Sequence, residues 1–144
     1  MIINFLLLAL LSISAIAEEA TSARTPIEID SQSMTVEESS NTIIFRGSVI
    51  ARKDDITIFS DKMVVNLDEF KEITGIVAQG KVKMIRDAKV ITSNKAVYSP
   101  DDEKVTFTGD PRFQEDNSTV TGSVITYFIA TEKAIVEGSK VILR

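Results

Sequence analysis

The chain has 144 residues, with 16 Lys plus Arg against 21 Asp plus Glu and a formal net charge of −5. An acidic chain lacks the positive field that nucleic acid requires, so no nucleic acid partner is expected. There is no Cys, His or Trp, which excludes a disulfide framework, a thiol nucleophile, the commonest general base and the usual zinc ligands.

In chain order, residues 2–16 form an uncharged apolar run, followed by a small-x-small pattern at Ala15-Ile16-Ala17 and then Glu18-Glu19. A bilayer span needs about 20 apolar residues. Residues 1–17 therefore read as a cleavable signal peptide, which leaves 18–144 as a single exported domain. An uncleaved anchor stays open as an alternative, because the leading "MII" brings no Lys or Arg.

The remainder repeats itself. Gly47, Gly80, Gly109 and Gly138 are spaced by 33, 29 and 29 residues. Two residues before each stand Phe45, Ala78, Phe107 and Val136; two after the first three come Val49, Val82 and Pro111. Four after come Ala51, Met84 and Phe113. A period of two marks a strand with one buried face. A second strand follows in each unit, carrying Ile58, Ile91 and Val120, then Met63, Ala96 and Ile125, then Val65, Tyr98 and Tyr127. Between them Ser60, Ser93 and Gly122 stand where the inward parity changes, as a bulge or bend requires. A partial copy precedes the first glycine, with Ile29, Ser31, Met34 and Val36 at the same mutual offsets. The extra four residues of the longer spacing fall in "NLDEFKE" (66–72), and polar stretches such as "EESSN", "RKDD" and "SPDDEK" read as hairpin turns.

These features predict an all-β domain of about a dozen antiparallel strands, built from about four repeats of roughly 29 residues. A solenoid and an open jelly roll both satisfy the pattern. Either must stack neighbouring units to bury the inward stripe. The carboxylate pairs Asp54-Asp55 and Asp101-Asp102 sit in turns, where solvated charge is the ordinary role. The cations Arg46, Arg52, Lys53, Lys81, Lys83, Arg86 and Lys89 are interleaved with acids and read as a solvated rim. Nothing here calls for an enzyme, a metal or a cofactor. The inward stripe is plain core or, where the sheets diverge, an apolar groove.

The segment "PIEIDSQSMTVEESSNTIIFRGSVIARKDDITIFSDKMVV" (26–65) resembles the start of the periplasmic lipopolysaccharide-transport proteins of the LptA/OstA-like type. The likeness rests on Pro26-Ile27-Glu28-Ile29, on Phe45-Arg46-Gly47-Ser48-Val49 and on Ile58-Phe59-Ser60-Asp61 through Val65, and it continues over 109–138. The resemblance implies an open β-jelly roll whose apolar interior accepts lipid A acyl chains of lipopolysaccharide. It also implies head-to-tail self-stacking through edge strands, between an LptC-like inner-membrane bitopic jelly-roll protein and an LptD-like outer-membrane translocon. Carried over by position, the lipid-facing candidates are Ile27, Ile29, Phe45, Met84 and Tyr98. The repeat extends the set to Met34, Val36, Val49, Phe107, Phe113 and Tyr127. Two alternatives remain: the membrane-anchored LptC-like component of the same pathway, and a structural β-repeat module with a filled, lipid-free interior.

Overall fold

A computed structural model describes residues 25–144; the signal-peptide reading of 1–17 lies outside them. Alternating apolar and polar residues, rich in Val, Ile and Thr, form strands because branched side chains pack well on a pleated surface. The strands are β1 (Glu28–Asp30), β2 (Ser33–Glu37), β3 (Thr42–Lys53), β4 (Ile56–Leu67), β5 (Ile73–Arg86), β6 (Lys89–Ser99), β7 (Lys104–Thr108), β8 (Arg112–Glu115), β9 (Ser118–Thr121), β10 (Val124–Phe128), β11 (Lys133–Glu137) and β12 (Lys140–Leu143). All pairings are antiparallel and belong to one 12-stranded sheet.

The sheet is folded on itself. Strands β3 to β6 each change register or partner near their middle, at Arg46/Val49, Phe59/Lys62 and Gln79/Val82, and between residues 92 and 95. One half of each long strand joins β2, β7, β10 and β11 in a first layer. The other half joins β1, β8, β9 and β12 in a second. The described residues thus form a meander of eight bent legs, with β1–β2, β7–β8, β9–β10 and β11–β12 each forming one leg broken at the corner. The result is an open, unclosed jelly roll, which decides between the two architectures the repeat allowed.

The corner is written in the repeat. Gly80 has φ +80°, a conformation that costs a side-chain-bearing residue about 1–2 kcal/mol. A Cβ there would come within 2.5 Å of Asp61 Oδ2 on the preceding leg. The neighbour is thus a corner side chain, and Asn94 plays the same part beside Gly109. On the intervening legs the hydroxyls of Ser60 and Ser93 donate to the carbonyls of Lys62 and Lys95, at 3.1 and 2.9 Å. Those serines therefore satisfy the backbone that the bend unpairs.

Turns close the legs at alternate rims. Asn41, Asp54, Asp87 and Asp116 take left-handed backbone there, which short polar side chains tolerate best. The four-residue insertion becomes the β4–β5 loop. The Asp68 carboxylate accepts from the amides of Phe70 and Glu72 at 2.8 and 2.9 Å, so this loop is built rather than loose. The β5–β6 turn at Asp87-Ala88 is a hairpin that no cluster of turn residues announces.

Candidate functional site: the space between the layers

Because pairing is in register across each layer, inward residues line up in rows that cross all eight legs. In the first layer one row runs Met34, Phe45, Met63, Ala78, Ala96, Phe107, Ile125, Val136. Beside it runs Val36, Ile43, Val65, Ile76, Tyr98, Val105, Tyr127, Ala134. In the second layer the corresponding row is Ile29, Ala51, Ile58, Met84, Ile91, Phe113, Val120, Val141. The three rows are wholly apolar. The candidates predicted from sequence fall on them, apart from Val49, which packs beside Ser60 at the corner, and Ile27, at the rim.

The rows are not equally filled. Val49, Met84, Phe107 and Tyr127 are fully buried and Phe45 nearly so, forming core with Ile91 and Ile125. Phe113 and Ile29 are partly buried against that cluster. Met34 and Val36 lie on the same face as Phe45 and Ile43, yet are 58% and 55% exposed because β2 is a terminal edge with no further leg beside it among the described residues. The opposite edge repeats this: Val141 of β12 is 50% exposed. Among the described residues the apolar rows therefore run out to open edges at both ends.

Between the layers lies an apolar cavity of ≈ 50 Å³, several times the about 10–15 Å³ one water occupies on the same measure. Ile56, Ile58 and Ala51 line it from the second layer, and Met63, Ala78, Ala96, Tyr98 and Val105 from the first. Ile27 and Ile129 stand at its margin. Sequence reasoning named Ile27 and Tyr98 among these, but not Ile56, Ile58 or Ile129. Ile58 was legible as a member of the repeat; Ile56 and Ile129 continue the same inward period, two residues before Ile58 and two after Tyr127, so the alternation also points to them. Small residues make the space: Ala78 and Ala96 are direct cross-strand partners in the middle of the row.

On the C-terminal side the mouth between the layers is crossed by charge. Arg86 ends β5 in the second layer, with its side chain 15% exposed. It donates to the Ile129 carbonyl at 2.7 Å and to Tyr127 Oη at 3.3 Å, both in the first layer. Its Nε pairs with Asp55 at 3.0 Å and Glu132 at 3.4 Å, and Lys89 Nζ reaches Glu132 at 3.5 Å. Burial works against the charged guanidinium, but the hydrogen bonds with Asp55 and Tyr127 outweigh it and hold Arg86 protonated beyond arginine's ordinary range. Desolvation likewise opposes the Lys89 charge, and the nearby Glu132 and Glu115 carboxylates more than compensate, raising its pKa. Arg86 thus corrects the sequence reading of a uniformly solvated cationic rim. The pairing partners lie 31 to 46 residues away, and no local pattern encodes them.

Among the described residues no group of His, Cys, Asp or Glu could hold a metal, and no helix is long and apolar enough to cross a membrane. The arrangement offers apolar burial and polar bridging; Arg52 and Lys53 are the charged residues at the cavity lining, which is otherwise aliphatic apart from Tyr98.

Comparison with known proteins agrees with this geometry. Residues 28–133 match the family described as LptA/(LptD N-terminal domain) LPS transport protein. Among solved structures, the fold superimposes on LptH from Pseudomonas aeruginosa, described as the LptA-homologous periplasmic component of the lipopolysaccharide transport device. The TM-score is 0.74 at 11% identity, covering 83% of this chain and 96% of that one. No curated protein sequence matches the chain.

Proposed function

The chain belongs to the LptA/OstA-like family of periplasmic lipopolysaccharide-transport proteins, and we propose that it carries lipid A acyl chains in the space between its two layers. The observation that carries this reading is the apolar cavity on rows that run out to open edges at both ends. A protein of net charge −5 gains little by holding an anionic glycolipid through its phosphates. Burial of acyl chains, at about 0.8 kcal/mol per CH₂, supplies the attraction instead. Movement from one equivalent apolar site to the next breaks no covalent bond, so the role is that of a carrier and not an enzyme.

The edges explain how such sites join. Eight legs is an even number, so the first and last run antiparallel. A translated second copy then continues both layers as antiparallel sheet, with β12 beside the next β1 and β11 beside the next β2. Rows continue as well: Val141 meets Ile29, Val136 meets Met34, and on the outer face Lys140 meets Asp30. The same edges serve an LptC-like inner-membrane partner and an LptD-like outer-membrane translocon of related fold. In this reading residues 1–17 are a cleaved signal peptide and 18–144 the mature domain.

Photo-crosslinking tests the proposal. A benzophenone side chain at Ile58 or Tyr98 is expected to label lipopolysaccharide, and one at exposed Phe70 is not. Labelling of protein neighbours alone from the two cavity positions rules the lipid groove out.

A further inference from the structure

The groove is not uniform along its length. In the second layer the cavity is lined only from Ile27 to Ile58, while in the first it reaches Val105 and Ile129; next to it, toward the C-terminal edge, Phe107, Ile125 and Tyr127 are fully buried and fill the interior. Arg86 crosses the mouth where the two meet, since Ile129 borders the cavity and Tyr127 belongs to the filled part. It ties the rim of the second layer to Tyr127 and Ile129 of the first, while Lys89 and Glu132 add a second tie. Its position on β5 is itself informative. Arg86 follows Met84 at a two-residue step, so it occupies an inward-facing place, where apolar residues stand deeper in the groove. An inward arginine held by a backbone carbonyl, a phenol and two carboxylates has a geometry that a solvated surface charge does not need.

We propose that Arg86 is a gating residue that divides the groove into an open receiving half and a closed exit half. The inference rests on the lipid-groove reading for what passes. A chain entering at the cavity advances toward Phe113, Val120 and Val141 only when Arg86 releases the Ile129 carbonyl and the Tyr127 hydroxyl and the two rims part. Asp55, on its own layer, remains as a partner to hold the freed guanidinium, so release leaves no bare charge in the groove. The gate retains a chain in the cavity, since the closed half lies between the cavity and the β11–β12 edge.

Two measurements test this on the full mature chain. The protein has no native cysteine, so spin labels at Asp87→Cys and Ala130→Cys report the distance between the two rims alone; both sites are exposed. Arg86→Gln is expected to lengthen and broaden the distance distribution, and Arg86→Lys to widen it less. Glu132→Ala alters only an exposed side chain and is expected to shift the distribution in the same direction, which keeps the test open if Arg86→Gln folds poorly. An unchanged distribution in the folded variants overturns the gate, whatever the lipid result. The second measurement uses lipopolysaccharide as probe with a benzophenone at Ile58 or at Phe113. Arg86→Gln is expected to raise labelling from Phe113 several-fold while leaving Ile58 unchanged. Equal labelling from Phe113 with and without Arg86 overturns the gate; a lack of labelling at both positions overturns the lipid reading, and the spin-label distances then judge the clasp alone.

Discussion

Ala96→Val is the most discriminating perturbation the structure offers. Ala96 is 2% exposed, lines the cavity and lies opposite Ala78 in the central row. Two methyl groups placed into dry apolar space gain about 1.6 kcal/mol at about 0.8 kcal/mol per group. Some of that is lost in fixing the neighbours, so a net gain of about 1 kcal/mol is expected. The same methyls put into a filled core cost about 1–3 kcal/mol through strain. The sign of the change therefore reports whether the space between the layers is empty. The assay is urea unfolding of the purified mature chain, paired with titration of an apolar fluorescent probe. The expected result is a higher midpoint at unchanged slope and a several-fold loss of probe affinity. A more stable protein that binds less well is the signature of a site kept vacant for function. A destabilised Ala96→Val with unaltered probe binding refutes the reasoning.

Other expectations follow from the same geometry. Phe107→Ala removes a fully buried ring from the filled half and should cost about 3–5 kcal/mol in urea unfolding. Met34→Ser, at the open edge, should change stability by less than about 0.5 kcal/mol while weakening self-association in sedimentation velocity. Gly80→Ala forces a Cβ into left-handed backbone against Asp61 and should cost about 1–3 kcal/mol, part of it recovered by adding Asp61→Gly. Asp30→Lys should weaken association in a salt-dependent manner, and combining it with Lys140→Asp should restore it; failure of the double variant to recover removes the proposed register. Amino-terminal sequencing of the native protein should begin at Glu18, whereas a chain retaining residues 2–16 would point to the anchored alternative.

The sequence by itself determined the legs and the corners. Inward parity, its reversal at Ser60 and Ser93, and the glycines at Gly47, Gly80 and Gly109 are local facts, because a strand alternates with period two and a sharp bend needs small or left-handed residues. The four-residue insertion at 66–72 was legible for the same reason. The resemblance implies the open jelly roll, and the folded sheet excludes the solenoid that the repeat alone allows. Tertiary structure decided what periodicity cannot express. Met34 and Phe45 carry the same pattern, yet one is open and the other buried, since exposure depends on whether another leg follows. Phe107 and Tyr98 also look alike, but one fills the interior and the other borders a cavity made by Ala78 and Ala96 from different strands. Arg86 reads as one more rim charge until the sheet folds and brings Tyr127 and Ile129 within hydrogen-bond reach. Strand identity is a matter of neighbours in the chain, and the groove is a matter of neighbours in space.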